Sequence, residues 1–280
     1  MVGKTVAFAS ILLVGLVHAQ DASSGFPEFL EPHAWQIAPE VYYFRYEEPG
    51  LMEEEGTFYG LTASFTSRRE RGSREDAFAW STFKIEARAD WGTVDYDGAL
   101  WDGTPYEIED IDDFVLGFGL LWGQEWDPTP FISGFHVGLA YRYLNDDPSF
   151  DPAGYEREAN YLYFPIRLEA TAGSRHAWQV AFLGELDILL IGLQISHLGD
   201  VMGEPDPEVE EDGNIYNVQL PFSGFGAQGS IVLRHRSEAL DIAVGPFIRT
   251  WWIAESEPDQ GFVEPENNTI EYGLQLIFRF

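Results

Sequence analysis

The sequence predicts a single antiparallel transmembrane β-barrel of about ten strands, within a range of about eight to twelve. Apolar and polar residues alternate along most of the chain, the alternating segments often reach about 12 residues, and Tyr and Trp cluster at their ends. A tilted strand needs roughly 9–11 residues to cross a bilayer, and aromatic residues typically mark both interfaces. A soluble β-sandwich would also alternate, but long strands with aromatic ends favour the membrane barrel.

The N-terminus predicts export. A basic start and the apolar stretch 6–16 precede a cleavage site after Ala19, so residues 1–19 have the layout of a secretory signal peptide. Such a segment is too short to span a membrane with its flanks. We therefore expect residues 20–34 to form a periplasmic lead-in and residues 35–280 to form the outer-membrane barrel.

Each predicted strand alternates between an apolar and a mostly polar face. The last strand is typical, because every second residue from 272 to 280 is apolar. The alternation slips near Gly192 and near 224–226, which predicts either bulges there or strands that extend beyond the membrane. The predicted strands are 35–46, 56–68, 78–91, 112–123, 131–144, 158–171, 177–198, 215–234, 238–253 and 269–280.

The predicted connections fall into two alternating sets. An even number of strands places both chain termini on the periplasmic side, where turns are expected to be short. The long, acidic connections, assigned to the outside, are 47–55, 92–111, 145–157, 199–214 and 254–268. The shorter connections, three of which carry Arg or His, are 69–77, 124–130, 172–176 and 235–237.

Composition excludes several classes of protein. The chain has 47 Asp and Glu against 16 Lys and Arg, a formal charge of -31, which is the opposite of a nucleic-acid-binding surface. It has no cysteine, so disulfides, thiol chemistry and cysteine zinc sites are excluded. We expect no cofactor, although carboxylates of the acidic outer loops could bind Ca²⁺ or Mg²⁺ weakly. So many acids with almost no lysine also suit a host that lives in high salt.

The terminal strand and three short stretches carry a family resemblance. The strand ends on Phe280, and the stretches are 47–52 (EEPGLM), 138–144 (GLAYRYL) and 160–165 (NYLYFP). Together they resemble small, porin-like outer-membrane proteins of Gram-negative bacteria that have no assigned function. The resemblance implies contact with outer-membrane lipids and insertion by the barrel-assembly machinery, and it implies no particular chemistry. It also implies an assembly signal formed by Tyr272, Leu274, Leu276, Phe278 and Phe280.

The polar faces place charges of both signs in the predicted lumen. Mixed signs favour pairing, which predicts a salt-bridged plug in a barrel of this size. The alternative is a narrow path for small solutes or ions, lined by the same charges. The predicted lumen charges are Glu40, Lys84, Glu86, Arg88, Asp90, His136, Arg142, Arg167, Glu169, Glu185, Asp187, Asp241, Arg249, Glu271 and Arg279.

A catalytic alternative depends on four residues near the outer rim. Asp95 and Asp97 after the third strand, with His197 and Asp200 after the seventh, resemble the water-activating groups of the omptin proteases. His197 and Asp200 depart from the Asp-x-His order of that family. Ser196 and His197 could suggest lipid hydrolysis, but adjacent strand residues point to opposite faces.

These patterns predict a non-enzymatic surface or envelope protein with a largely plugged lumen, whose external ligand the sequence does not identify. The alternatives are a narrow porin and an omptin-like surface protease.

Overall fold

The chain is nearly all strand. The structure, a computed structural model, describes residues 32–74, 77–100, 102–127, 132–173, 178–199, 213–236 and 241–280. The predicted signal peptide and most of the lead-in lie outside these residues. No helix among the described segments has the length and apolar character needed to cross a membrane. The strands are β1 (His33–Glu48), β2 (Met52–Arg74), β3 (Ala77–Ala99), β4 (Pro105–Asp127), β5 (Ile132–Asp146), β6 (Arg157–Gly173), β7 (Trp178–Ser196), β8 (Ile215–Gln219), β9 (Gly224–Arg236), β10 (Asp241–Ile253) and β11 (Asn267–Arg279).

The strands close into a ring. Consecutive strands pair antiparallel from β1 to β7 and from β9 to β11, and β11 pairs with β1 from Gln36↔Arg279 to Glu47↔Asn268. The strand β7 pairs with β9 over Trp178–Ile188 and with the short β8 over Gly192–Ser196. Because β8 and β9 share one position beside β7, the ring has ten positions and is closed. The predicted ten-stranded antiparallel barrel is confirmed.

Several strands are longer than the sequence predicts. The strands β2, β3 and β4 have 23 residues each, against the predicted 56–68, 78–91 and 112–123. The predicted connection 47–55 is a tight turn, with Gly50 at a positive φ of 78°. Backbone pairing continues through acidic residues such as Glu53 and Asp97, where apolar alternation has already ended. Apolar alternation indicates the lipid-facing part of a strand rather than its full length.

Both predicted breaks in phase correspond to irregularities. The pairing of β6 with β7 shifts between Leu162 and Tyr163, so that Leu189 faces inward, Ile191 faces outward and Gly192 faces inward again. This is the predicted bulge. The break expected near 224–226 lies slightly earlier, in the segment 220–223 that separates β8 from β9.

The barrel wall has an apolar outer face and a largely polar inner face. On β10, Val244 and Ile248 are 48% and 47% exposed, whereas Phe247 and Arg249 are 4% and 8% exposed. Apolar side chains are exposed on the outer face of every strand that makes up the ring, and a wall of this kind is stable only when lipid covers it. The architecture is that of an outer-membrane β-barrel.

Candidate functional site

The barrel interior is the candidate functional site, because it collects the charged side chains of the strands. The structure places every predicted lumen charge on the inner side of its strand. Several of these groups bind partners on strands that are not neighbours in the ring, and such contacts must cross the lumen. They include the ion pairs Lys84–Glu169 and Arg167–Glu86 between β3 and β6, and Arg88–Glu271 between β3 and β11.

The network nearest the termini joins β2, β3, β4, β5 and β6. Lys84 Nζ lies 2.6 Å from Glu169 Oε1 and 3.4 Å from Glu125 Oε1. Arg68 Nε lies 2.6 Å from Glu125 Oε2. The His136 ring is fully buried between these carboxylates, with ring nitrogens 3.8 Å from Glu169 and 3.9 Å from Glu125. This set places paired charges across the half of the lumen nearest the chain termini.

A second network lies deeper, beside β10, β11 and β1. Arg249 donates from Nη1 and Nη2 to the two carboxylate oxygens of Glu40, at 2.9 and 2.7 Å, and its Nη1 also lies 3.1 Å from Glu271. Arg88 donates to Glu271 at 2.7 Å and forms an ion pair with Asp90. Glu40, Asp90 and Glu271 are almost completely buried. Buried carboxylates of this kind are stable only with such partners.

Arg167 and Arg234 make three further ion pairs in the interior. Arg167 on β6 donates from Nη1 and Nη2 to both oxygens of Glu86 on β3, at 2.6 and 2.7 Å, and from Nε to Glu185 on β7. Arg234 Nε donates to Asp241 Oδ1 at 2.7 Å. The positive and negative side chains of the lumen therefore pair with one another.

Above the charged networks lies an apolar plug that the sequence analysis missed. Phe44 and Phe58 are fully buried with ring centroids 4.7 Å apart, and Tyr161 on β6 stacks on Trp251 on β10 at 6.2 Å. The run 41–44 is apolar on both faces, which is a signal of burial on both sides. The apolar plug comprises Tyr42, Phe44, Tyr46, Met52, Phe58, Val94, Ile108, Ile111, Val115, Leu144, Ala159, Tyr161, Leu189, Phe247, Trp251 and Ile253.

The end of the interior that lies farthest from the chain termini, which we call the outer end, is acidic. We call Glu48, Glu54, Asp113, Asp146 and Arg157 the acidic cap. Arg157 Nη2 lies 2.7 Å from Asp146 and also pairs with Glu54, while Nη1 lies 3.2 Å from Glu48. The sequence analysis assigned most of these residues to loops, whereas the lengthened strands turn their side chains into the barrel.

A carboxyl from the connection between β10 and β11 covers the acidic cap. Glu264 accepts a hydrogen bond from Gln194 Nε2 and is 6% exposed. Burial and, next, the nearby Glu48 carboxylate raise the pKa of Glu264 to about 7, against the opposing effect of Arg157. The cap therefore carries more negative charge than its one guanidinium balances.

The structure gives Asp95 and His197, two described residues of the omptin-like alternative, different partners. Asp95 and Asp97 are exposed on the outer face of β3, and Asp95 Oδ1 accepts a hydrogen bond from the Asp110 amide at 3.0 Å. Within the described segments, His197 contacts Glu158 on β6, with Nε2 2.9 Å from Oε1. Asp200 lies outside the described residues.

No family model matches the chain, and no curated protein matches it. The chain is similar to the solved structure of a deletion mutant of TodX, a monoaromatic hydrocarbon channel (8% identity, TM-score 0.31, 89% of this chain and 90% of that chain). It is also similar to the toluene transporter TbuX of Ralstonia pickettii (9%, 0.27, 89% and 90%). A third similar structure is a FadL homologue of Pseudomonas aeruginosa (8%, 0.25, 88% and 89%). Likenesses with such TM-scores assign no function to this chain.

Proposed function

We propose that this protein is a non-enzymatic envelope barrel with a closed lumen, which stabilises the outer membrane or binds external ligands through its outer surface. One observation supports this most directly: ion pairs and ring contacts between non-neighbouring strands cross the lumen at several levels. Lys84–Glu169 lies in the periplasmic half, Arg88–Glu271 lies deeper, Tyr161–Trp251 lies in the apolar plug and Arg157–Glu54 lies in the acidic cap. A path for hydrated ions would have to break contacts at each level.

Single-channel recording tests the closed lumen. The refolded mature chain is reconstituted in a planar bilayer at several salt concentrations, and its folded state is verified by its heat-dependent mobility on a gel. We expect no discrete conductance steps. Reproducible, cation-selective steps that change in the Arg142→Ala or Glu185→Ala variant would instead support the narrow porin, with these charges lining its path.

The location and assembly of the barrel are part of the proposal. Residues 1–19 would direct export, and the barrel-assembly machinery would insert the chain into the outer membrane of a Gram-negative bacterium. The alternate residues from Tyr272 to Phe280 lie on the outer, lipid-facing side of β11. The position of Phe280 supports a role in assembly, because its amide and carbonyl bond Trp35 at 3.1 and 2.8 Å, at the seam where the two ends of the chain meet.

Deletion of Phe280 should lower the amount of folded, heat-modifiable protein in cells several-fold. The deletion removes the last residue of the proposed assembly signal together with two hydrogen bonds at the barrel seam. The measurement is a gel-mobility assay of membrane fractions, with refolding of the purified chain in detergent as the control. Normal refolding in detergent with poor assembly in cells is the expected combination, and unchanged assembly in cells would contradict the signal.

A further inference from the structure

Three buried carboxylates converge at the outer end of the barrel interior. Asp113 on β4 and Asp146 on β5 are register partners, and each is 3% exposed. Glu54 on β2, also 3% exposed, reaches the same place, and one oxygen from each residue lies within 4.8 Å of the others. Like charges directly opposite each other on paired strands repel. This convergence is stable only if a nearby positive charge or a bound proton offsets the repulsion.

The guanidinium of Arg157 supplies only part of that charge. It forms ion pairs with Glu48, Glu54 and Asp146, and none of these three pairs includes Asp113. Among the described residues, neither oxygen of Asp113 has a hydrogen-bond partner, and Oδ1 of Asp146 has none either. Four carboxylates against one guanidinium leave a formal charge of -3 in the acidic cap. Burying uncompensated charge of this kind is strongly unfavourable.

We propose that Glu54, Asp113 and Asp146 bind one hard divalent cation, Ca²⁺ or Mg²⁺, inside the outer end of the barrel. Carboxylate oxygens are the preferred ligands of these ions, and two oxygens on opposite sides of a Ca²⁺ ion are about 4.6–5.2 Å apart. Oxygens that lie within 4.8 Å of one another are therefore close enough to share one such ion. It would give Asp113 the partner it lacks. The site does not depend on whether the lumen conducts.

The other cluster with suitable ligands has less need of an ion. Glu156, Glu158 and His197 also bring their ligand atoms within 4.8 Å of one another, but all three are partly exposed. Glu158 already accepts a hydrogen bond from the Tyr143 hydroxyl at 2.8 Å and contacts His197 at 2.9 Å. The acidic loop 199–214, where the sequence analysis expected a weak site, lies almost entirely outside the described residues.

Calorimetric titration of the refolded mature chain tests the site. The protein is refolded in detergent without lipopolysaccharide, which itself binds divalent cations, then stripped with EDTA and titrated with Ca²⁺ or Mg²⁺ in about 0.15 M NaCl to screen the acidic surface. We expect one ion to bind per chain. Asp113→Asn should weaken binding about tenfold or more, since it removes one ligand charge. Glu54→Gln provides a second variant with the same expected loss.

The matched control is Asp112→Asn, which removes the same charge from the neighbouring, exposed residue on the other face of β4. It should bind the ion as the wild type does. A second measurement, urea unfolding without the ion, distinguishes the site from a general surface effect. Asp113→Asn should unfold at a higher urea concentration than the wild type, because the substitution removes an uncompensated buried charge. The proposal is overturned if the wild type binds no stoichiometric ion, or if Asp113→Asn binds as tightly as Asp112→Asn.

Discussion

Replacement of Arg249 by methionine should lower the free energy of unfolding by about 3–5 kcal/mol. Arg249 makes a two-pronged contact with Glu40 and also reaches Glu271. Its guanidinium carbon lies 4.1 Å from the ring centroid of Phe247, so it also packs against the apolar plug. Methionine preserves much of that packing but removes the charge. Glu40 would then remain buried with only a more distant contact to Arg88, at 3.4 Å.

A surface ion pair provides the control for this prediction. Arg45 pairs with Glu53, and the two side chains are 39% and 40% exposed. Arg45→Met should cost less than about 1 kcal/mol, because water already solvates both charges. The measurement is urea unfolding of the barrel in lipid vesicles, followed by the heat-dependent gel mobility of the folded form.

The double variant Arg249→Met, Glu40→Gln assigns the loss to the buried carboxylate. Removing both charges should restore a substantial part of the stability lost in Arg249→Met, since no uncompensated carboxylate remains at this position. If Arg249→Met cost no more than Arg45→Met, water would have to reach the pair. That result would argue for a hydrated lumen and for the narrow porin.

The wall of the barrel could be predicted because lipid imposes a simple rule on it. Outward positions such as Val244 and Ile248 must be apolar, and alternation therefore reveals both the strand and its orientation. The extensions of β2 to β4 obey no such rule. Beyond the apolar band, Glu53 and Asp97 are still register partners in the sheet, although the sequence pattern there does not differ from that of an acidic loop.

The contents of the barrel were only partly predictable. The alternation of side chains between the two faces of a strand assigns Lys84 and Glu86 to the lumen. It does not indicate which group on another strand each of them contacts. The contacts of Lys84 with Glu169 and of Arg167 with Glu86 depend on the tilt and register of β3 and β6, which the sequence does not specify. The acidic cap could not be predicted for the same reason. In addition, the predicted strands were too short to include most of its residues.

Opening the apolar plug should convert the silent barrel into a conducting one. Phe44 is fully buried and Trp251 is 6% exposed, and both face the lumen from strands on either side of β11. Truncation to alanine would leave an apolar cavity, and such cavities stay dry. Serine adds hydroxyl groups that can hold water in the space vacated. We therefore expect Phe44→Ser, Trp251→Ser to show conductance steps in planar bilayers under conditions in which the wild type shows none.

The matched control changes the same residue types on the outside of the barrel. Phe118 and Trp252 are 48% and 39% exposed on the outer wall, so Phe118→Ser, Trp252→Ser should remain silent while losing some stability in lipid. Each inner replacement should cost about 3–5 kcal/mol, and the single variant Trp251→Ser is therefore recorded as well.

If a folded inner variant stayed silent, the charged networks below the plug would be sufficient to block ions. Conductance by the outer variant would instead place the ion path outside the lumen, for example at a leak between barrel and lipid. Only steps confined to the inner variants identify the apolar plug as the barrier that keeps this barrel closed.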